Sequence, residues 1–144
     1  MKKLTLFFIM LLAAVMTFAQ EHHKKFSPEK FQADLESYIT KEAGLSPQQA
    51  SDFFPVYREM QTKQRKVFDR MRQMGRIKPS TDKECKAQIR QHDDMDLELK
   101  QIQQNYHNRF FGILPASKVY DVLKAEDRFY RQSFKGMRQR MNRR

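Results

Sequence analysis

The chain has 144 residues, one cysteine, no tryptophan and a formal net charge of +11. Four glycines and five prolines are too few for the turn-dense patterning of a β-sandwich or barrel, and one cysteine excludes an internal disulfide framework. A hydrophobic content of 40% excludes a disordered chain, while 31% charged residues leave little apolar material for a thick core.

Lys2 and Lys3 open the chain, and Leu4 to Ala19 follow as an apolar run. Thr17-Phe18-Ala19 offers a small–x–small cleavage point before Gln20. This is the layout of a secretory signal, and the run is short for a membrane span. The expectation is a signal peptide over 1–19 and a single all-helical domain over 20–144, exported to the periplasm or cell exterior. Two lysines and no acid leave with the signal, so +11 becomes +9. Cys85 is then an odd cysteine in an oxidising space, either a buried thiol or an intersubunit disulfide.

Four helical stretches account for the rest. Ser27-Pro28-Glu29 opens the first with a cap residue, a proline at the first helical position and an early acid. Phe31, Leu35, Tyr38 and Ile39 follow at helical spacing until Gly44. Leu45-Ser46-Pro47-Gln48-Gln49 opens the second with a capping box from Ser46 to Gln49. Phe53, Tyr57, Met60, Gln64, Val67, Met71 and Met74 then recur in steps of four and three, a seam of the coiled-coil kind. Pro55 predicts a kink or a restart near Phe54. Gly75 to Ser80 reads as the turn, and Thr81 to Glu84 as a second capping box. The third stretch carries Cys85, Ile89, His92, Met95, Leu99, Ile102, Tyr106 and Phe110. Gly112 to Pro115 breaks it, and the fourth runs from about Ala116 with Val119, Leu123, Tyr130, Phe134, Met137 and Met141.

The second and third stretches predict rods of about 40 Å at ~1.5 Å per residue, joined by a short turn into a long antiparallel hairpin. Charge suits that pairing. Arg58 to Lys78 holds eight bases against Glu59 and Asp69, while Asp82 to Glu98 holds six acids against Lys83, Lys86 and Arg90. After Asp127 no acid follows, only Arg128, Arg131, Lys135, Arg138, Arg140, Arg143 and Arg144.

The segment Leu45-Ser46-Pro47-Gln48-Gln49 resembles the LTxxQ motif of the Spy/CpxP family of small periplasmic stress chaperones, with serine in place of threonine. The cleaved signal, the basic helical chain and the long helix after the motif are similar as well. The family carries a second copy near its last long helix. The matching place here, Leu114-Pro115-Ala116-Ser117-Lys118, keeps the leucine and loses both polar positions. The resemblance implies a thin, elongated all-α fold, a cradle-like homodimer, and ATP-independent holding of unfolded or misfolded envelope proteins without any cofactor. It gives Leu45, Ser46 and Gln49 a structural role.

The residues supply their own grounds for such a function. Fourteen aromatics and six methionines in residues 20–144 exceed what one face of a two-layer hairpin can bury. Exposed Met and aromatic groups edged with Arg and Lys suit adaptable contact with varied chains. The client-binding candidates are Met71, Met74, Phe134, Met137 and Met141 with Arg70, Arg72, Arg131 and Arg138.

Metal binding has only His22 and His23 as weak candidates, with no His-x3-His or Cys-x2-Cys spacing in the chain. His92 reads as a seam histidine. Enzyme chemistry has no support, since neither a glycine-rich phosphate loop nor a Gly-x-Ser-x-Gly elbow occurs. Export removes nucleic acid as a partner. Two alternatives remain: a metal- or stress-sensing accessory regulator of a membrane sensor protein, and a binder of anionic lipid surfaces through residues 128–144.

Overall fold

The computed structural model describes residues 27–142, apart from the side chains of Met137 and Arg140. The expected signal segment, its cleavage point before Gln20, His22, His23, Arg143 and Arg144 lie outside the described residues. Four helices make up the described structure: α1 (Pro28–Glu42), α2 (Pro47–Met74), α3 (Asp82–Phe111) and α4 (Ala116–Met141). None of them is long and apolar enough to cross a membrane. The chain divides into two compact units, residues 1–31 and 32–144. Only the start of α1 is described in the first, while the core and the surface grooves belong to the second.

Local chemistry places each boundary. At the start of α2 the Gln49 amide donates to Ser46 Oγ at 3.2 Å, and the Ser46 amide donates to Gln49 Oε1 at 3.0 Å. Thr81 and Glu84 repeat the arrangement at the start of α3, where Glu84 Oε2 also accepts from the Ser80 amide at 2.8 Å. Both capping boxes satisfy backbone donors that the first turn of a helix leaves unpaired. The amides of Ser80 and Thr81, donating to the Glu84 carboxyl, hold it below its ordinary value of 4.5.

Gly44 ends α1 with φ of +58°, the only positive φ among the described residues. The Leu45 amide reaches back to Thr40 O at 3.0 Å and the Gly44 amide to Lys41 O at 3.3 Å, a Schellman ending that glycine adopts without steric cost. Pro55 does not restart α2, which runs unbroken from Pro47 to Met74. Both Pro55 and Ser51, whose carbonyl loses its intrahelical donor to the proline, lie on the exposed side, where water can serve that carbonyl.

The core gathers where all four helices meet. Leu35 and Ile39 from α1, Phe53, Phe54, Tyr57 and Met60 from α2, Tyr106 and Phe110 from α3, and Val119, Val122 and Ala125 from α4 form one buried cluster with Leu45 and Leu114. Phe53 stacks on Tyr57 at 5.6 Å and tilts against Phe110 at 4.7 Å. Each aromatic buried in this way contributes roughly 1.5–3 kcal/mol.

Ties between α2 and α3 then run outward in opposite sequence order. Glu59 accepts from the Tyr106 hydroxyl at 2.6 Å and from Arg109 at 2.9 Å, Arg70 reaches Glu98, and Gln88 donates to Met74 O at 3.0 Å. The contrasting charge runs of the two helices therefore meet in few direct pairs. One of those, Glu59 with Arg109, sets the acid on the basic helix.

Candidate functional site

Burial follows distance from the core, and this decides what the surface offers. The seam predicted for α2 is buried at Phe53, Tyr57, Met60 and Val67, then half-buried at Met71 and Met74. On α3 it is buried at Phe110 and Tyr106, half-buried at Ile102, Leu99 and Met95, and exposed at His92 and Ile89. Two helices cannot enclose a side chain that four can. Among the described residues, the ties of this outer stretch join α2 and α3 to each other, at Arg70–Glu98 and Gln88–Met74.

Apolar groups are left open along this stretch. Phe68 is 50% exposed, Leu97 65% and Ile89 62%. Phe68 lies at helical spacing from Tyr57, Gln61 and Gln64 on α2. Near the core that stripe is covered by α4. The Tyr57 hydroxyl donates to Glu126 Oε1 at 2.6 Å, and the Gln61 side chain hydrogen-bonds Tyr130. Phe68 continues the stripe and is half exposed among the described residues.

Around it runs an open groove of about 700 Å³ lined by Gln64, Phe68, Leu97, Leu99 and Lys100. Leu97 also lines a second groove of about 630 Å³ with Lys100, His107 and Phe111. Burial, with the positive charge of Lys100 beside it, pushes the His107 imidazole below 6.5, so its ring favours the neutral form.

The sequence candidates divide into two groups on different elements. Arg70 is engaged with Glu98, and Arg72 lies 3.8 Å from Asp69. Met71 and Met74 line a third groove, of about 550 Å³, near the turn between α2 and α3. On α4, Phe134 is 63% exposed and stacks against Tyr130 at 6.3 Å, and Met141 is exposed. Arg131 pairs with Asp127, Arg138 is exposed, and the Met137 side chain is outside the described part of the chain. The α2–α4 ties at Tyr57 and Gln61 stand nearer the core than either group. The first group thus belongs to a formed groove, and the second stands on the outward run of α4.

Sequence reasoning missed three residues. Glu126 is drawn in among Tyr57, Asp127 and Tyr130, and burial pushes its carboxyl above 4.5 despite the Tyr57 hydrogen bond. An acid at a seam position of α4, between Val119 and Tyr130, was the available signal. Lys118 donates to Ala43 O at 2.6 Å and to Gly44 O at 3.1 Å, closing the end of α1 from the start of α4. Leu114 beside it is buried, and Pro115 caps α4 without a side-chain hydrogen bond. Phe68 was passed over because it falls outside the heptad seam.

Compared with protein-family models, with characterised proteins and with solved structures, the chain matches none. Among the described residues, no three His, Cys, Asp or Glu side chains gather into one cluster.

Proposed function

We propose that this protein holds non-native polypeptides without nucleotide, in the cell envelope, on the open apolar stretch of the α2–α3 pair. In this reading α2 and α3 form a long hairpin, two copies make a thin cradle-like homodimer, and the clients are unfolded or misfolded exported proteins. The observation that carries it is the exposure of Phe68, Ile89 and Leu97 along one pair of helices, next to half-buried Met71 and Met74. Apolar groups spread along an open groove favour loose, replaceable contacts over one fitted ligand. Lys100 borders Phe68 and Leu97 in the groove, alongside Asp93 and Asp96, so the apolar groups rather than net charge carry the contact. The resemblance of Leu45 to Gln49 to the family motif points the same way.

The test is aggregation of a chemically unfolded model protein, followed by light scattering without ATP. The full chain is expected to suppress scattering at a few-fold molar excess, and Phe68→Ser with Leu97→Ser to lose most of that effect. No suppression by the wild type, or equal suppression by the double variant, would overturn the proposal. Arg128 pairs with Glu42 and Arg131 with Asp127, so part of the basic run on α4 is already engaged. For that reason the apolar stretch is favoured here over anionic lipid as the working surface.

A further inference from the structure

Near the turn between α2 and α3 lies the groove of about 550 Å³ lined by Met71, Met74, Cys85 and His92. We infer that Met71, Met74 and His92 form a binding site for a soft monovalent metal ion, copper(I) or its redox-inert analogue silver(I). Thioether sulfur is a soft donor that selects Cu(I) over Zn(II) or Mg(II), and imidazole completes such a set.

Three features support the assignment. Both methionines are half-buried on the wall of the groove, and their flexible side chains can turn their sulfurs toward a common centre. His92 lines the same groove. Its Nδ1 lies 3.3 Å from Asp96 Oδ2 one turn further along α3, an ion-pair contact between two exposed side chains. A carboxylate behind a histidine is the usual partner that fixes the tautomer of a metal-binding imidazole. Finally, Gln88 donates to Met74 O at 3.0 Å and to Ile77 O at 3.4 Å, fastening the end of α2 against α3 so that the methionines and His92 share one groove. Cys85 lines the same groove two turns before His92, roughly 10 Å along the helix, so the assignment to Met71, Met74 and His92 is tested against its thiol.

The experiment is competition for Cu(I) between the full-length protein and a chromogenic Cu(I) chelator under anaerobic conditions, repeated with Ag(I) and Zn(II) by calorimetry. One equivalent of Cu(I) and of Ag(I) is expected to bind at submicromolar concentration, and Zn(II) not to bind. Met71→Leu with Met74→Leu abolishes binding, Asp96→Asn weakens it about 10-fold, and Cys85→Ser leaves it unchanged. His92→Ala, an exposed replacement far from the core, abolishes it too and keeps the test decisive should the methionine variant fold poorly. Loss of binding in Cys85→Ser with retention in the methionine variant would assign the ion to the thiol and overturn the inference. So would Zn(II) binding as tight as Cu(I), or no Cu(I) binding at all.

Discussion

Helices α2 and α3 each have two ends, and the ends live under different rules. At the core end, the groups buried with Phe53 and Phe110 come from all four helices. At the turn end, the described residues that share a groove with Met71, Met74 and Cys85 come from the paired helix and the 75–81 connection. Helix-forming chemistry does not separate the ends, since both carry a complete capping box. The number of layers does. One end spends its apolar residues on cohesion, and the other leaves them available for contact.

The sharpest way to break this comparison is to remove a large side chain from each end. Phe110→Ala is expected to cost about 3–5 kcal/mol, as large-to-small changes in a closed core do. Ile89→Ala, at a 62% exposed site, should stay within about 0.5 kcal/mol. Urea unfolding followed by circular dichroism measures both, and equal costs would mean that the turn end is as enclosed as the core.

A second prediction concerns how α4 is held to the core end. Tyr57→Phe leaves the half-buried Glu126 carboxyl without its donor, at a cost of about 1–3 kcal/mol. Burial, reinforced by Asp127, raises the Glu126 value above 4.5 in the folded protein. The native state therefore takes up this proton more readily than the unfolded chain. Its contribution is full below 4.5 and is lost as pH rises through the folded value. Glu126→Gln should remove that decline, so the gap in urea midpoint between variant and wild type should widen as pH rises from 4.5. A gap independent of pH would remove Glu126 as its source.

Much of this was legible in the sequence. The helix limits followed from Ser46, Thr81, Gly44 and Gly112, whose chemistry acts within a few residues. The α2 seam followed from its spacing down to Val67. What stayed hidden depends on a third element. Periodicity gives His92 and Ile89 the same standing as Tyr106 and Phe110, because spacing records which face a residue occupies and not how many layers cover that face. Lys118 was hidden for the same reason. Nothing local tells that its ammonium ends on carbonyls 74 and 75 positions earlier. Glu126 meets Tyr57 across 69 positions.

The two capping boxes give a third, smaller test. Ser46→Ala and Thr81→Ala each remove one acceptor and should cost about 1 kcal/mol of local helix stability. Their reach should differ. Losing the Ser46 cap loosens a helix start that is packed into the core beside Leu45, so the global unfolding midpoint should fall. Losing the Thr81 cap should raise amide exchange over residues 82–90 and leave core amides near Tyr57 unchanged. Global loss in both would mean that the two ends unfold as one unit.

The smallest effect expected is in the ion pairs, and it still distinguishes the ends. Arg58 grips Glu36 with Nε at 2.7 Å and Nη2 at 2.5 Å, and Gln32 adds a hydrogen bond at 2.8 Å. Burial alone would raise the Glu36 carboxyl, but the Arg58 and Gln32 hydrogen bonds and the guanidinium charge outweigh it and hold the group below 4.5. Its contribution is therefore present above 4.5 and disappears as pH falls through the folded value, opposite in sign to Glu126. Since the Arg58 side chain is 57% exposed, solvent screening limits the pair to about 0.5 kcal/mol. The Arg70–Glu98 pair further along α2 is open at both partners, with side-chain exposures of 53% and 44%. Glu98→Gln should accordingly fall inside the error of a urea titration, while Glu36→Gln shows a small loss that shrinks in high salt. A Glu98 effect as large as that of Glu36 would mean that the outer stretch of α2 and α3 is held by charge where it lacks burial.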